Sequence, residues 1–163
     1  MTFLSWRATY AVDFPQIDAE HHTLFDLINE FHDKCAGGDP HPDSLAVLSK
    51  LIAYAEEHFS HEEGLMQANA YPRLEHHREQ HAALVNAIFK LNERFAANPI
   101  ALDAGTRNFL QHWLLDHILK DDMDFRDFRV HQSEQAERAA QQAAEQGEKK
   151  AAAKSDDQKA VAA

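Results

Sequence analysis

The chain is short of cysteine and of positive charge. Its single cysteine among 163 residues, Cys35, cannot form an internal disulfide, which is compatible with a reducing compartment. Lys and Arg total 16 against 27 Asp and Glu, so the formal net charge is -11 with neutral histidine. Nucleic acids and anionic membrane surfaces would repel this charge, and we therefore expect neither as a partner.

Long apolar runs are also missing. No run approaches the roughly 20 residues that a membrane-spanning helix needs, and the pair Phe3-Leu4 is too short to form the core of a signal peptide. We therefore expect no membrane insertion and a cytoplasmic location.

Helices are favoured over strands by what the sequence does contain. Only five glycines and five prolines occur, and the apolar residues recur every three or four positions rather than every second one. We predict helices over about residues 18–36, 42–68, 72–96 and 103–129, with Asp18 as the N-cap of the first and an irregular N-terminal arm before it. Short connections between long helices predict an all-α, up-down-up-down antiparallel four-helix bundle.

The composition changes near residue 132 to Ala, Gln, Glu and Lys, with almost no large apolar side chain. Such a segment cannot bury a face, so we divide the chain into a bundle domain, residues 1–131, and a tail, residues 132–163. Residues 132–151 have high helix propensity and are expected to extend the fourth helix, while the last dozen are expected to be disordered. A docking segment for another protein is the alternative interpretation of the tail.

Seven residues fall at spacings that let four helices deliver five imidazoles and two carboxylates to one buried point: His21, His58, Glu62, His77, His81, His117 and Asp122. Glu62 follows His58 by four residues, so both project from one helix face. His77 and His81 have the same spacing. Imidazole with carboxylate and no thiolate suits iron, manganese or zinc, and two carboxylates can each bridge two ions. The set predicts a two-metal site.

The sequences around these residues resemble the hemerythrins, in particular the single-domain bacterial members. The resemblance rests on four runs: Ile17-Asp18-Ala19-Glu20-His21, His58-Phe59-Ser60-His61-Glu62-Glu63, Tyr71-Pro72 leading to His77 and His81, and Trp113-Leu114-Leu115-Asp116-His117-Ile118 ending at Asp122. It covers roughly residues 5–128. It implies two non-haem irons per chain joined by an oxo or hydroxo group. By this resemblance His77, His81 and His117 hold one iron, His21 and His58 hold the other, and Glu62 and Asp122 bridge them.

The resemblance also implies a function, which is reversible dioxygen binding rather than catalysis. The second iron has an open position, where dioxygen binds in this family. Six residues are expected to line a dry pocket around it: Leu24, Phe25, Phe59, Trp113, Leu114 and Ile118. Dioxygen would be stored, delivered to a partner protein or reported to one. A redox enzyme acting on peroxide, nitric oxide or ferrous iron is the alternative, and an iron-storage or metal-sensing module is a third interpretation.

The position of the second carboxylate conflicts with ideal helix geometry. Asp122 follows His117 by five residues, which leaves about 140° between them on a regular α-helix, whereas Asp121 would share the face of His117. The family pattern selects Asp122. Either the helix widens locally, as π-bulges at functional sites do, or the aspartate reaches around the helix.

The remaining histidines and several acids are interpreted as ordinary residues. Seven histidines are assigned to the surface or to positions behind the ligands: His22, His32, His41, His61, His76, His112 and His131. We interpret Glu56, Glu57 and Glu63 as members of charged surface faces. Asp13 stands where the family usually has glycine, which leaves the path of the N-terminal arm open.

Overall fold

The computed structural model describes residues 2–35, 42–97 and 103–161, and over these ranges its regular structure is entirely helical. Five α-helices follow one another: α1 (Pro15–Cys35), α2 (Pro42–Ala68), α3 (Leu74–Ala97), α4 (Ala104–His117) and α5 (Met123–Val161). A 3-10 turn, Ala8–Tyr10, lies in the N-terminal arm, and a π-helical segment, Ile118–Asp122, joins α4 to α5. The prediction of an all-α fold is confirmed.

Two compact units make up the chain, Met1–Arg126 and Asp127–Ala163. The first contains α1 to α4 and the π-helical segment. The second consists of the polar part of α5, which continues to Val161 and therefore past residue 151, where we expected the helical part of the tail to end. Within the described ranges, no helix has both the length and the apolar character that a membrane span requires.

Cross-helix contacts show that successive helices run antiparallel. Between α1 and α2, Lys34 lies near Asp43 and Glu20 lies near His58, so residue numbers rise on one helix as they fall on the next. The same relation holds between α3 and the α4 region, where Leu84 contacts Trp113 and His77 contacts Asp122. The result is the up-down-up-down bundle that the short connections predicted.

Large apolar side chains fill the space between the helices. Ten of them are no more than 1 % exposed: Leu24, Ile28, Phe31, Leu48, Leu51, Met66, Ile88, Leu110, Leu114 and Ile118. Phe31 of α1 meets Phe95 of α3 edge to face across the bundle, with ring centroids 5.3 Å apart. Each fully buried side chain of this size stabilises the fold by about 1.5–3 kcal/mol. This core supports the helices whose inner faces carry the polar cluster described below.

The start of α1 differs from the prediction. We predicted Asp18 as the N-cap, and this was wrong because α1 already begins at Pro15 and the Asp18 amide donates to the Phe14 carbonyl at 2.8 Å. The Asp18 carboxylate instead accepts a hydrogen bond from the amide of Val12 at 2.7 Å, which ties the N-terminal arm to the helix. Asp13 has a φ of 61°, a left-handed conformation that favours glycine. That conformation accounts for the glycine usually found at this position in the family that the sequence resembles.

The end of α2 is a Schellman motif built around an unfavourable residue. The amide of Tyr71 donates to the carbonyl of Met66 at 3.0 Å, and the amide of Ala70 donates to the carbonyl of Gln67 at 3.1 Å. This pair of bonds requires a left-handed residue, and Ala70 supplies it with a φ of 51°. Alanine pays a steric cost in this conformation because its Cβ approaches the following carbonyl oxygen.

We therefore predict that Ala70→Gly stabilises the protein by about 1 kcal/mol. The matched control is Ala68→Gly, at an exposed position in the last turn of α2, which should destabilise by about 0.5–1 kcal/mol because glycine there loses more backbone entropy. Chemical denaturation of both variants measures the two changes. A loss of stability in Ala70→Gly would contradict the strain assigned to Ala70.

Candidate metal centre

Seven polar side chains from all parts of the bundle meet at one buried point. They are His21 from α1, His58 and Glu62 from α2, His77 and His81 from α3, His117 from α4 and Asp122 from the π-helical segment, and none is more than 4 % exposed. Charged and polar groups are rarely buried this deeply unless they are paired or bind a metal. The seven are the residues that the sequence spacing brought together.

The donor atoms of these side chains form two overlapping groups. In each group the atoms lie within 4.8 Å of one another. One group contains Glu62, His77, His81, His117 and Asp122. The other contains His21 and His58 together with Glu62, so this carboxylate belongs to both.

Asp122 also lies between the two groups. Its Oδ1 is 3.0 Å from His117 Nε2, and its Oδ2 is 3.3 Å from His21 Nε2. Glu62 has a comparable position: its Oε2 lies 3.3 Å from His77 Nε2 and 3.2 Å from His81 Nε2, and it has an oxygen within 4.8 Å of donor atoms of His21 and His58. Two carboxylates, each near imidazoles of both groups, are arranged as ligands that could bridge two cations.

Several buried polar atoms have no hydrogen-bond partner among the residues that the structure describes. They are Nδ1 and Nε2 of His21, Nε2 of His58 and both carboxylate oxygens of Asp122. Each unsatisfied buried polar group costs about 1–3 kcal/mol, and more if it is charged. A cation at their common point would satisfy these atoms once it displaces the protons between imidazole and carboxylate. The residues present therefore fit a metal centre.

Electrostatics keep both carboxylates ionised. Burial raises the pKa of Glu62, but hydrogen bonds from His77 and His81 outweigh burial and bring the pKa to about 2. Burial also raises the pKa of Asp122, and the positive charge of His117 outweighs it, so this pKa lies well below its usual value. At neutral pH both side chains are anions, which is the form that binds metal.

The pKa values of His58 and His117 are shifted in opposite directions. Burial lowers the pKa of His58, which favours the neutral imidazole that a metal requires. Burial also lowers the pKa of His117, but the negative charge of Asp122 outweighs it and raises the pKa to about 10. A metal ion that binds His117 would therefore displace a proton.

The π-helical segment explains why Asp122, and not Asp121, faces the cluster. Its hydrogen bonds span five residues, as in the bond from the Met123 amide to the Ile118 carbonyl. Residues five apart then come onto one face, and Asp122 is 1 % exposed inside the bundle. Of the two alternatives for the five-residue spacing, local widening of the helix is the one observed.

Three carboxylates behind the cluster hold three of the histidines in place. His58 Nδ1 donates to Glu20 at 3.0 Å, and His81 Nδ1 donates to Glu63 at 2.8 Å. His117 Nδ1 donates to Asp121 at 3.2 Å. With one proton held on Nδ1, it is the Nε2 nitrogen that gives up its proton and offers a lone pair to a metal, so each carboxylate selects the tautomer that can bind a metal.

The orientation of histidines by these carboxylates was not predicted from the sequence. The interpretation of Glu63 as an ordinary surface residue was wrong. A signal was nevertheless present, because each orienting acid is the chain neighbour of a clustered residue. Glu20 precedes His21, Glu63 follows Glu62 and Asp121 precedes Asp122. Where a helix aims one side chain into the cluster, the adjacent residue reaches the histidine of a neighbouring helix or turn.

The other histidines lie away from the cluster. His32 is half-buried, and His41 lies outside the described residues. The other five are exposed: His22, His61, His76, His112 and His131. His61 nevertheless touches the network, because its Nδ1 donates to Glu20 at 2.9 Å. Glu20 therefore links an exposed imidazole to the buried His58.

Apolar side chains adjoin the cluster. The six residues predicted to line a dry pocket are all buried, at no more than 5 % exposure: Leu24, Phe25, Phe59, Trp113, Leu114 and Ile118. Phe59 stacks on His81 with ring centroids 3.9 Å apart and lies 6.5 Å from Trp113. The indole N–H of Trp113 donates to the Leu84 carbonyl at 2.9 Å, so its one polar atom is satisfied.

Comparisons with known proteins agree with this geometry. Residues 13–128 match the family model described as the hemerythrin HHE cation binding domain. The chain is 32% identical to a bacteriohemerythrin of Methylococcus capsulatus, over 75% of this chain and 93% of that protein. It is 26% identical to a myohemerythrin of Theromyzon tessulatum, over 74% and 89%. A solved wild-type hemerythrin is 30% identical, with a TM-score of 0.68 over 76% of this chain and 95% of that one.

The orienting carboxylates give a direct prediction. Glu63→Gln should weaken metal binding roughly 10- to 100-fold, because His81 loses the charged acceptor that fixes its tautomer and raises its basicity. Glu57→Gln is the control, since Glu57 is an exposed glutamate on the same helix. Anaerobic titration of the metal-free variants with ferrous iron, against a competing chelator, measures the effect. Equal affinity in both variants would show that Glu63 is not an orienting group.

Proposed function

The chain belongs to the hemerythrin family, and we propose that its buried cluster holds two non-haem iron ions that bind dioxygen reversibly. Dioxygen binding fits the family, and the cluster supplies the donors that iron needs. The observation that carries the proposal is the pair of buried carboxylates, Glu62 and Asp122, each of which lies near imidazoles from both donor groups. In this proposal both carboxylates would bridge the irons together with an oxo or hydroxo group.

The two donor groups support a division of the ligands between the irons. His77, His81 and His117 would bind one iron, and His21 and His58 would bind the other. With Glu62 and Asp122 shared between the ions, the first iron would be held by three imidazoles and the second by two. The second iron would therefore be the one with room for dioxygen. When bound, the iron pair supplies the two electrons that dioxygen takes up.

The protein itself sets the charge of the centre, orients the imidazoles and excludes water. Only two of the seven ligands are anionic, so the centre keeps a high positive charge, which disfavours strongly oxidised iron. Glu20, Glu63 and Asp121 hold the imidazoles in the tautomer that binds iron. The apolar lining excludes water from the centre. This combination supports reversible binding over irreversible oxidation.

The same lining favours a carrier over an enzyme. The six proposed pocket residues are apolar or aromatic, and the only N–H or O–H group among their side chains, the indole of Trp113, is already donated to Leu84. The pocket residues therefore offer no free proton to a bound substrate. We propose storage, delivery or sensing of dioxygen in the cytoplasm, where the free thiol of Cys35 is stable.

Gas exchange tests the function. The diferrous protein, prepared without oxygen, should take up one dioxygen per iron pair and develop oxo-to-iron charge-transfer absorption. Vacuum should then release the dioxygen intact and restore the diferrous spectrum. Release is expected because no proton donor of the pocket drives the reaction onward. Catalytic consumption of peroxide or nitric oxide, with no recoverable dioxygen, would instead establish the enzyme alternative.

Substitution of adjacent aspartates tests the ligand assignment. Asp122→Ala should abolish binding of the second iron, because a bridging carboxylate is lost. Asp121→Ala should retain both irons with affinity lower by roughly 10- to 100-fold, since it removes only the acceptor of His117. Elemental analysis and the near-ultraviolet spectrum of each purified variant measure the effect. The reverse order would mean that regular α-helical spacing, and not the π-helical segment, selects the ligand.

A further inference from the structure

A cavity of about 540 Å³ lies on the outer surface of the bundle in the groove between α2 and α3. Its apolar lining residues are Phe59 from α2 and Ala82, Val85 and Phe89 from α3. Polar side chains line the rest of it: Glu56, Ser60, Glu63, Arg78, His81 and Asn86. Phe89 is 45 % exposed, which is unusual for a phenylalanine and makes the outer part of the groove apolar. We call this cavity the α2–α3 groove.

Phe59 belongs to both the groove and the proposed dioxygen pocket. The ring is 3 % exposed and stacks on His81, with His117 at 5.7 Å and Trp113 at 6.5 Å between centroids. Its centroid is also 5.4 Å from that of His58, which belongs to the donor group proposed to hold the dioxygen-binding iron. His81 also lines the groove. One aromatic side chain therefore lies between this surface cavity and imidazoles of both donor groups.

A second groove of about 490 Å³, between α3 and α4, also reaches the cluster but has a different character. Its lining includes the apolar Leu84 and Phe109 as well as the polar His112, Asp116, Lys120 and Asp121, and its inner wall is formed by Trp113 and His117. Both of these inner side chains are held by hydrogen bonds, to Leu84 and Asp121 respectively. Opening a path there would break a hydrogen bond, whereas displacing Phe59 from the α2–α3 groove breaks none.

We propose that dioxygen reaches and leaves the iron centre through the α2–α3 groove and that Phe59 is the gate. This inference rests on the proposed function. The phenyl ring has no polar atom, so it rotates aside without loss of a hydrogen bond, and Ala82, Val85 and Phe89 give the groove apolar surface for it to contact. Dioxygen is small and apolar, and it partitions into apolar cavities in preference to water. The same path serves both directions, so its width changes rates without changing affinity.

Two adjacent alanines on α3 give a matched test. Ala82 lines the α2–α3 groove and Ala83 lines the α3–α4 groove, and both are exposed. Ala82→Trp should slow dioxygen association and dissociation by the same factor, roughly tenfold, with the equilibrium affinity unchanged. Ala83→Trp should leave both rates at the wild-type value. Stopped-flow mixing and displacement experiments on the iron-loaded proteins measure the two rates.

Xenon provides a readout that does not depend on the iron chemistry. Crystals of the wild-type protein under xenon pressure should show xenon between Phe59, Val85 and Phe89, and crystals of Ala82→Trp should not. Slower exchange in Ala83→Trp instead, or unchanged rates in both variants, overturns the proposed path. A protein that shows xenon in the groove but takes up no dioxygen overturns the proposed function and leaves the groove as a gas-binding cavity.

Discussion

Five imidazoles and two carboxylates buried inside a bundle of four helices are the constraint on which the rest of this structure depends. Taking an ionised carboxylate out of water costs several kcal/mol unless a cation or strong hydrogen bonds replace the lost hydration. Here the compensation within the protein is incomplete, because the buried atoms of Asp122 and His21 find no hydrogen-bond partner among the described residues. The residues present therefore fit a metal centre, and bound ions would contribute to the stability of the fold.

This constraint accounts for departures from regular structure that would otherwise lower stability. The π-helical segment brings Asp122 to the inner face, although π-helical hydrogen bonding is rare in proteins. Three partly exposed carboxylates pair with histidines instead of being solvated by water alone: Glu20, Glu63 and Asp121. The apolar core around Phe31 and Leu48 then fixes the antiparallel register that lets four helices meet at one point.

Much of this arrangement could be predicted from the sequence, because helical spacing is a local property. The four-residue spacing of His58 and Glu62 placed both on one face, and the family resemblance was confirmed by the comparisons. The bounds of α2 and the cap at Asp103 also follow from local signals, namely Pro42 and a carboxylate that accepts from the Thr106 amide at 2.6 Å.

Features that depend on contacts between helices were missed. Glu20 and Glu63 look like solvated acids until the neighbouring helix brings a histidine within 3.0 Å. Asp18 resembles an N-cap in the sequence, but the N-terminal arm folds back so that the Val12 amide donates to its carboxylate. The widened helix was one of two local solutions for Asp122, and spacing alone could not choose between them.

The most direct test of the account is the number and position of the metal ions in crystals of the iron-loaded protein, measured by anomalous diffraction at the iron edge. We expect two iron peaks, separated by the roughly 3.5–4 Å that is usual for paired metals, with Glu62 and Asp122 each contacting both. A single iron peak, or two peaks with Asp121 in place of Asp122, would contradict the central claim.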